Sequence, residues 1–119
     1  MKNKETSPNV FNLTITEAIK LLQKKDIKAA MSVISNAITL NMHAPEPQNL
    51  LGILCEIQGD DNTARKHYRA AYALDPSYKA ACRNLERLVA FEWEPQNREY
   101  YYGDETEEND IFAEIAINN

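Results

Sequence analysis

The chain repeats a pattern of small and apolar residues at an interval of 34 positions. Displaced by 34 residues, the run KDIKAAMSVISNAITLN (25–41) aligns with GDDNTARKHYRAAYALD (59–75). Spacings of three and four place Ala64, Tyr68 and Ala71 on one face of a helix. A short unit of this kind cannot bury its apolar face alone. The repeat therefore predicts helical hairpins that pack against one another.

Composition and helix-boundary signals agree with an all-α domain. The chain has 119 residues, 44% of them apolar and only 3 of them glycine, which favours helices over a turn-rich β fold. Cap residues, prolines and a glycine divide it into five helices. The predicted helices run from about Leu13 to Lys24, from Asp26 to near Asn41, from the prolines at 45 and 47 to Gly59, from Asp60 or Asp61 to Pro76, and from Ser77 to a point before Pro95.

Residues 45–78 also carry a motif at fixed offsets. Leucine and glycine stand in the first helix of this unit, and a small residue, an aromatic, a second small residue and a proline follow in and after its second helix. These residues are Leu51, Gly52, Ala64, Tyr68, Ala71 and Pro76. The unit resembles a tetratricopeptide repeat (TPR), with Gln48 and Cys55 where that family usually has tryptophan and tyrosine.

The resemblance implies a domain organisation. It predicts a helical stack over residues 13–93, built from a looser unit at about 11–44, the unit at 45–78, and a capping helix at about 77–93. A flexible N-terminus at 1–12 and an acidic tail at 94–119 flank the stack.

The resemblance further implies a non-catalytic module that binds a segment of another protein on a concave face. The predicted concave residues are Ile15, Ile19, Leu22, Asn49, Ile53, Glu56, Arg83 and Arg87. Arg83 and Arg87 lie four residues apart, so one helix face would present both to a carboxylate or an acidic stretch. The alternative is a solvated surface on the capping helix. The chaperone-tail clamp known in some members of the family is absent, because Ile15, Ile19 and Leu50 occupy its lysine and asparagine positions.

The tail differs in charge from the rest of the chain. Residues 1–91 hold 12 Lys plus Arg and 9 Asp plus Glu, whereas residues 92–119 hold 1 and 9. Apolar residues flank its acidic centre, and we expect four of them to anchor it: Tyr101, Ile111, Phe112 and Ile115. The tail is then predicted to dock on its own domain or on that of a second copy, which would make a homo-oligomer. The alternative is a disordered tail.

The sequence predicts neither an enzyme nor a cofactor-binding or metal-binding protein. His43 and His67 have no catalytic partner at a meaningful spacing, and Cys55 and Cys82 are predicted to be reduced packing residues. A pI near 5.0 argues against nucleic acid as a partner. The chain offers no long apolar run and no apolar leader at its start, so no membrane association and a cytoplasmic location are expected.

Overall fold

The fold is all-α in the part of the chain that the structure describes. A computed structural model describes residues 3–90 and 98–104, with side chains at 10–89 and 98–104. These residues form five α-helices and no strand. The helices are α1 (Asn3–Gln23), α2 (Ile27–Leu40), α3 (Glu46–Ile57), α4 (Asp61–Leu74) and α5 (Lys79–Ala90). Among the described helices, none combines the length and apolarity needed to cross a bilayer.

The predicted starts of the second and fourth helices at aspartate caps are confirmed. The Asp26 carboxylate accepts a hydrogen bond from the backbone N–H of Ala29 at the start of α2. The Asp60 carboxylate likewise accepts a hydrogen bond from the backbone N–H of Thr63 at the start of α4, at 3.1 Å. Such caps satisfy backbone donors that have no partner within the helix. Gly59 ends the α3 region with a φ of 86°, a conformation that glycine adopts without steric strain.

The first helix begins earlier than the sequence pattern indicated. Residues 3–12, predicted as part of a flexible N-terminus, lie in α1. Thr14 and Glu17 have the spacing of a capping box, which predicts a helix start at Thr14. The Thr14 hydroxyl instead donates to the carbonyl oxygen of Val10 at 2.7 Å. A hydroxyl that bonds one turn back belongs to a helix interior, not to a cap.

The helices pack in chain order around one core. Each helix contacts the next, and α1 also contacts α3. The buried core takes residues from all five helices. It consists of Ala18, Ile19, Leu22, Ala30, Ile34, Leu50, Ile53, Leu54, Ala64, Tyr68 and Leu88. The two aligned runs of sequence contain α2 and α4, and their equivalent positions 30 and 64, 34 and 68, and 37 and 71 are all fully buried.

Close packing of α3 on α4 depends on Gly52. A Cβ atom added at this glycine would collide with the ring of Tyr68, which is fully buried. The absence of a side chain at position 52 therefore lets the tyrosine ring lie directly against the backbone of α3. Tyr68 in turn fills the space between the two helices.

The inward face of α5 differs from the prediction. Helical spacing predicts one apolar face of this helix that includes both Leu88 and Val89. Leu88 is buried, whereas Val89 is 67% exposed. Asn84 is also fully buried on this helix, which an apolar pattern does not predict. The polar contacts of Asn84, described below, explain why the buried face of α5 includes it. Leu74, which continues the helical spacing of Tyr68 and Ala71 in α4, is 40% exposed.

We predict that Gly52→Ala destabilises the fold. Alanine normally gains about 1 kcal/mol over glycine inside a helix, but overpacking against Tyr68 costs about 1–3 kcal/mol. The clash should dominate and lower the free energy of unfolding in urea. The matched control is Ser32→Ala, an exposed position on α2 where we expect almost no change. A Gly52→Ala protein at least as stable as the wild type would contradict this account of the packing.

Candidate peptide-binding site

Residues 98–104 form a non-helical segment that docks across α3 and α5. We call it the docked segment. Two buried asparagines hold its main chain at Tyr101. The carbonyl oxygen of Tyr101 accepts hydrogen bonds from Nδ2 of Asn49 at 3.0 Å and from Nδ2 of Asn84 at 2.8 Å. The N–H of Tyr101 donates to Oδ1 of Asn84 at 2.9 Å.

The two asparagines also fix each other. Nδ2 of Asn84 donates to Oδ1 of Asn49 at 2.8 Å, and Oδ1 of Asn84 accepts from Arg87 at 3.0 Å. Because the amides are buried and satisfied, they are held in position to receive a peptide unit. The hydrogen bonds at Tyr101 use its backbone N–H and C=O, which nearly every residue possesses, so they do not depend on the side chain at this position.

Three tyrosine side chains of the docked segment contact the helices. Tyr101 lies over the Arg83 guanidinium with 5.7 Å from Cζ to the ring centroid, and Tyr100 lies over Arg87 at 5.2 Å. Such cation–π contacts contribute about 0.5–2 kcal/mol each. Tyr100 and Tyr102 pack edge to face, 6.3 Å apart, and both contact the hydrophobic core. Burial raises the pKa of each of these two hydroxyls.

The carboxylate of Glu56 forms the polar centre of the site. It is buried on α3 and accepts hydrogen bonds from Tyr68, Arg87 and Arg98. Arg87 reaches both carboxylate oxygens, at 3.0 and 2.6 Å. Burial raises the pKa of the Tyr68 hydroxyl, and the neighbouring Glu56 charge raises it further, so Tyr68 remains a donor.

Arg98 links Glu56 to a second carboxylate, Asp61. Its Nη1 lies 2.9 Å from Glu56 and 2.8 Å from Asp61, and its Nη2 lies 2.9 Å from the other oxygen of Asp61. Asp61 is the first residue of α4, where the helix N-terminus also favours negative charge. The hydrogen bond from Arg98 lowers the pKa of Asp61. Only 9% of the Arg98 side chain is exposed.

The structure separates the predicted concave residues into two groups. Asn49, Glu56, Arg83 and Arg87 meet around the docked segment, as does Tyr101 from the predicted tail anchor. Ile19, Leu22 and Ile53 belong to the core, and Ile15 packs against it. Leu22 also lines a cavity of about 300 Å³ beside Tyr100 and Tyr102. The other predicted anchors, Ile111, Phe112 and Ile115, lie outside the described residues.

Three residues of the site were not identified from the sequence. Asn84 stands on a helix face that the apolar pattern assigns to neither core nor partner, and Asp61 was considered only as a helix start. Arg98 did leave a signal, because it is the single basic residue among positions 92–119. A lone cation within an acidic tail, close to a tyrosine cluster, is a candidate for a specific ion pair.

Comparison with known proteins yields no match: no family model, no curated protein and no solved structure corresponds to this chain.

Asn84→Ala is predicted to release the docked segment. The substitution removes both hydrogen bonds between Asn84 and Tyr101 and leaves the Asn49 amide with one partner fewer. We expect faster amide exchange at Tyr101 and a loss of about 1–3 kcal/mol in the free energy of unfolding. Asn36→Ala, on the exposed side of α2, is the matched control. Unchanged exchange at the Tyr101 amide in Asn84→Ala would contradict the contact.

Docking of the segment should weaken in acid. The pKa of Asp61 is lower in the docked state than its ordinary value of about 3.9. The contribution of Asp61 to docking is therefore fully present at pH values above its ordinary pKa. It is lost as the pH falls through the lowered pKa of the docked state. Backbone ¹H–¹⁵N shifts of residues 98–104 between pH 7 and pH 2.5 would follow the change.

The control for this acid effect is Asp61→Asn, measured over the same pH range. It keeps the shape of the side chain but cannot titrate, so docking should be weaker at pH 7 and the Asp61 component of the pH response should disappear. Far-UV circular dichroism separates release of the segment from unfolding of the helices. Identical acid responses in the two proteins would exclude Asp61 as the titrating group.

Proposed function

We propose that this chain is a non-catalytic protein-interaction module of the TPR type, which binds a non-helical segment of a protein across α3 and α5. The observation that carries the proposal is the asparagine pair that holds a main-chain unit through both its N–H and its C=O. Main-chain recognition of this kind is a common basis of peptide binding, with adjacent side-chain sites providing specificity.

Features of the helical domain support the TPR part of the proposal. Ala64, Tyr68 and Ala71 are fully buried where the family motif expects small, aromatic and small residues. Gly52 allows the close approach of α3 and α4 that the same motif implies. In a TPR arrangement α3 and α5 would both be first helices of consecutive units, so their exposed sides would lie on the same concave face.

The docked segment serves in this proposal as an internal occupant of the site. It is connected to α5 through residues 91–97 and contacts α3, α4 and α5. A partner that binds the same surface has to displace it, so the free protein would be partly closed to other ligands.

A second candidate function is self-assembly. The atoms that hold the docked segment are the same in every copy of the chain, so residues 98–104 of one molecule could occupy the site of another. Exchange of an identical element between protomers is a common route to dimers. The tail would then act as the connection between subunits of a homo-oligomer.

The proposal is tested with a full-length variant whose own segment no longer docks. Arg98→Ala combined with Tyr101→Pro removes the ion pair and the N–H donor to Asn84, and we call this protein the open variant. A fluorescent synthetic peptide with the sequence of residues 98–104 is titrated into the open variant and into the wild type. We expect binding to the open variant and about tenfold weaker binding to the wild type, because the tethered segment competes at a high effective concentration.

Controls make the result specific. Adding Asn49→Ala to the open variant should abolish peptide binding, whereas adding Asn36→Ala should not, and circular dichroism confirms the fold of each protein. A folded open variant that binds no peptide at millimolar concentration would contradict the proposal and make the segment a fixed part of the fold. A wild-type mass that rises with concentration, with the open variant monomeric, would instead favour self-assembly.

A further inference from the structure

We propose that the site selects a protein segment by an arginine three residues before the residue whose main chain the asparagine pair holds. This inference rests on the proposed peptide-binding function and names the chemistry of the ligand. The internal occupant supplies the pattern, with Arg98 at the charged position and Tyr101 at the main-chain position. The expected partner is a segment of another protein that carries arginine and tyrosine in this spacing.

The charge balance of the site favours a cationic ligand. Glu56 and Asp61 provide two negative charges, and of these two carboxylates Arg87 of the domain forms hydrogen bonds with Glu56. Without an occupant, these three groups sum to −1. One guanidinium from the ligand brings them to zero and places its positive charge between the two carboxylates. A segment without this charge leaves Asp61 without its arginine partner in a partly buried position.

The geometry favours arginine over lysine. Nη1 of Arg98 donates to both carboxylates, while Nη2 donates to the second oxygen of Asp61, so two nitrogens in one plane make three hydrogen bonds. A guanidinium presents this fork in fixed form, whereas a lysine ammonium is a point donor that cannot reproduce the paired contact with Asp61.

The aromatic positions complete the pattern. Tyr100 lies over Arg87 and packs with Tyr102 against the core, so the residue before the main-chain position is an aromatic held from two sides. Arg87 therefore has two roles. It neutralises Glu56 through its edge and receives the ligand ring on its face. An acidic residue at this ligand position would lose the ring contact.

The inference is tested with four peptides of residues 98–104 and the open variant. The parent peptide is compared with peptides that carry citrulline or lysine in place of Arg98, and with one that carries Gln in place of Glu99. Citrulline keeps the shape and the planar donors but removes the charge. Glu99 is exposed, and its replacement should leave the affinity unchanged.

We expect the citrulline and lysine peptides to bind about ten- to a hundredfold more weakly than the parent, as for the loss of charge-assisted hydrogen bonds. Asp61→Asn in the open variant should reduce the difference between the parent and citrulline peptides, because it removes one side of the interaction. This coupling is the readout that a general loss of stability would not produce.

The outcomes distinguish the two proposals. If the parent peptide binds and the citrulline and lysine peptides bind equally well, the arginine inference is overturned while the peptide-binding function stands. A similar difference between parent and citrulline peptides with and without Asp61→Asn would also overturn it. If no peptide binds to the folded open variant, both proposals fail together.

Discussion

The buried carboxylate of Glu56 joins four parts of the chain. Its backbone lies in α3, and its oxygens accept hydrogen bonds from Tyr68 of α4, Arg87 of α5 and Arg98 of the docked segment. A carboxylate without such partners would be costly to bury, so the three donors have to be in place together. Apolar packing brings the helices together, and this ion cluster fixes how α3, α4 and α5 face the segment.

The cluster contributes more to the register of the docked segment than to the stability of the fold. Apolar side chains of similar size often stabilise an interior as well as buried ion pairs do. Aromatic contacts alone would also allow the three consecutive tyrosines to shift by one position with little change in apolar contact. The Arg98 fork and the asparagine pair define two points of attachment, three residues apart. One register satisfies both, so polar contacts select the alignment that apolar contacts tolerate.

Local signals predicted the fold well, and long-range polar contacts escaped prediction. The caps at Asp26 and Asp60 depend on neighbours three residues away and agree with the structure. Gly52 and Tyr68, which the motif singles out, are 16 residues apart and lie in close contact. The contacts of Tyr101 with Asn49 and Asn84 span 52 and 17 residues. No periodic pattern encodes such contacts. Periodicity also assigned Val89 to the core, because it counts apolar residues and cannot recognise that Asn84 has polar partners.

Under the proposed function, an external ligand has to compete with the docked segment for the site. A segment tethered beside its own site acts at an effective concentration in the millimolar range. A partner present at micromolar concentration therefore has to bind about a thousandfold more tightly than the isolated internal segment. Repeating the same contacts is not sufficient, so a partner needs additional ones. The cavity of about 300 Å³ beside Arg98, Tyr100 and Tyr102 offers them, because a larger side chain placed there would bury apolar surface against Leu22 and Ile57.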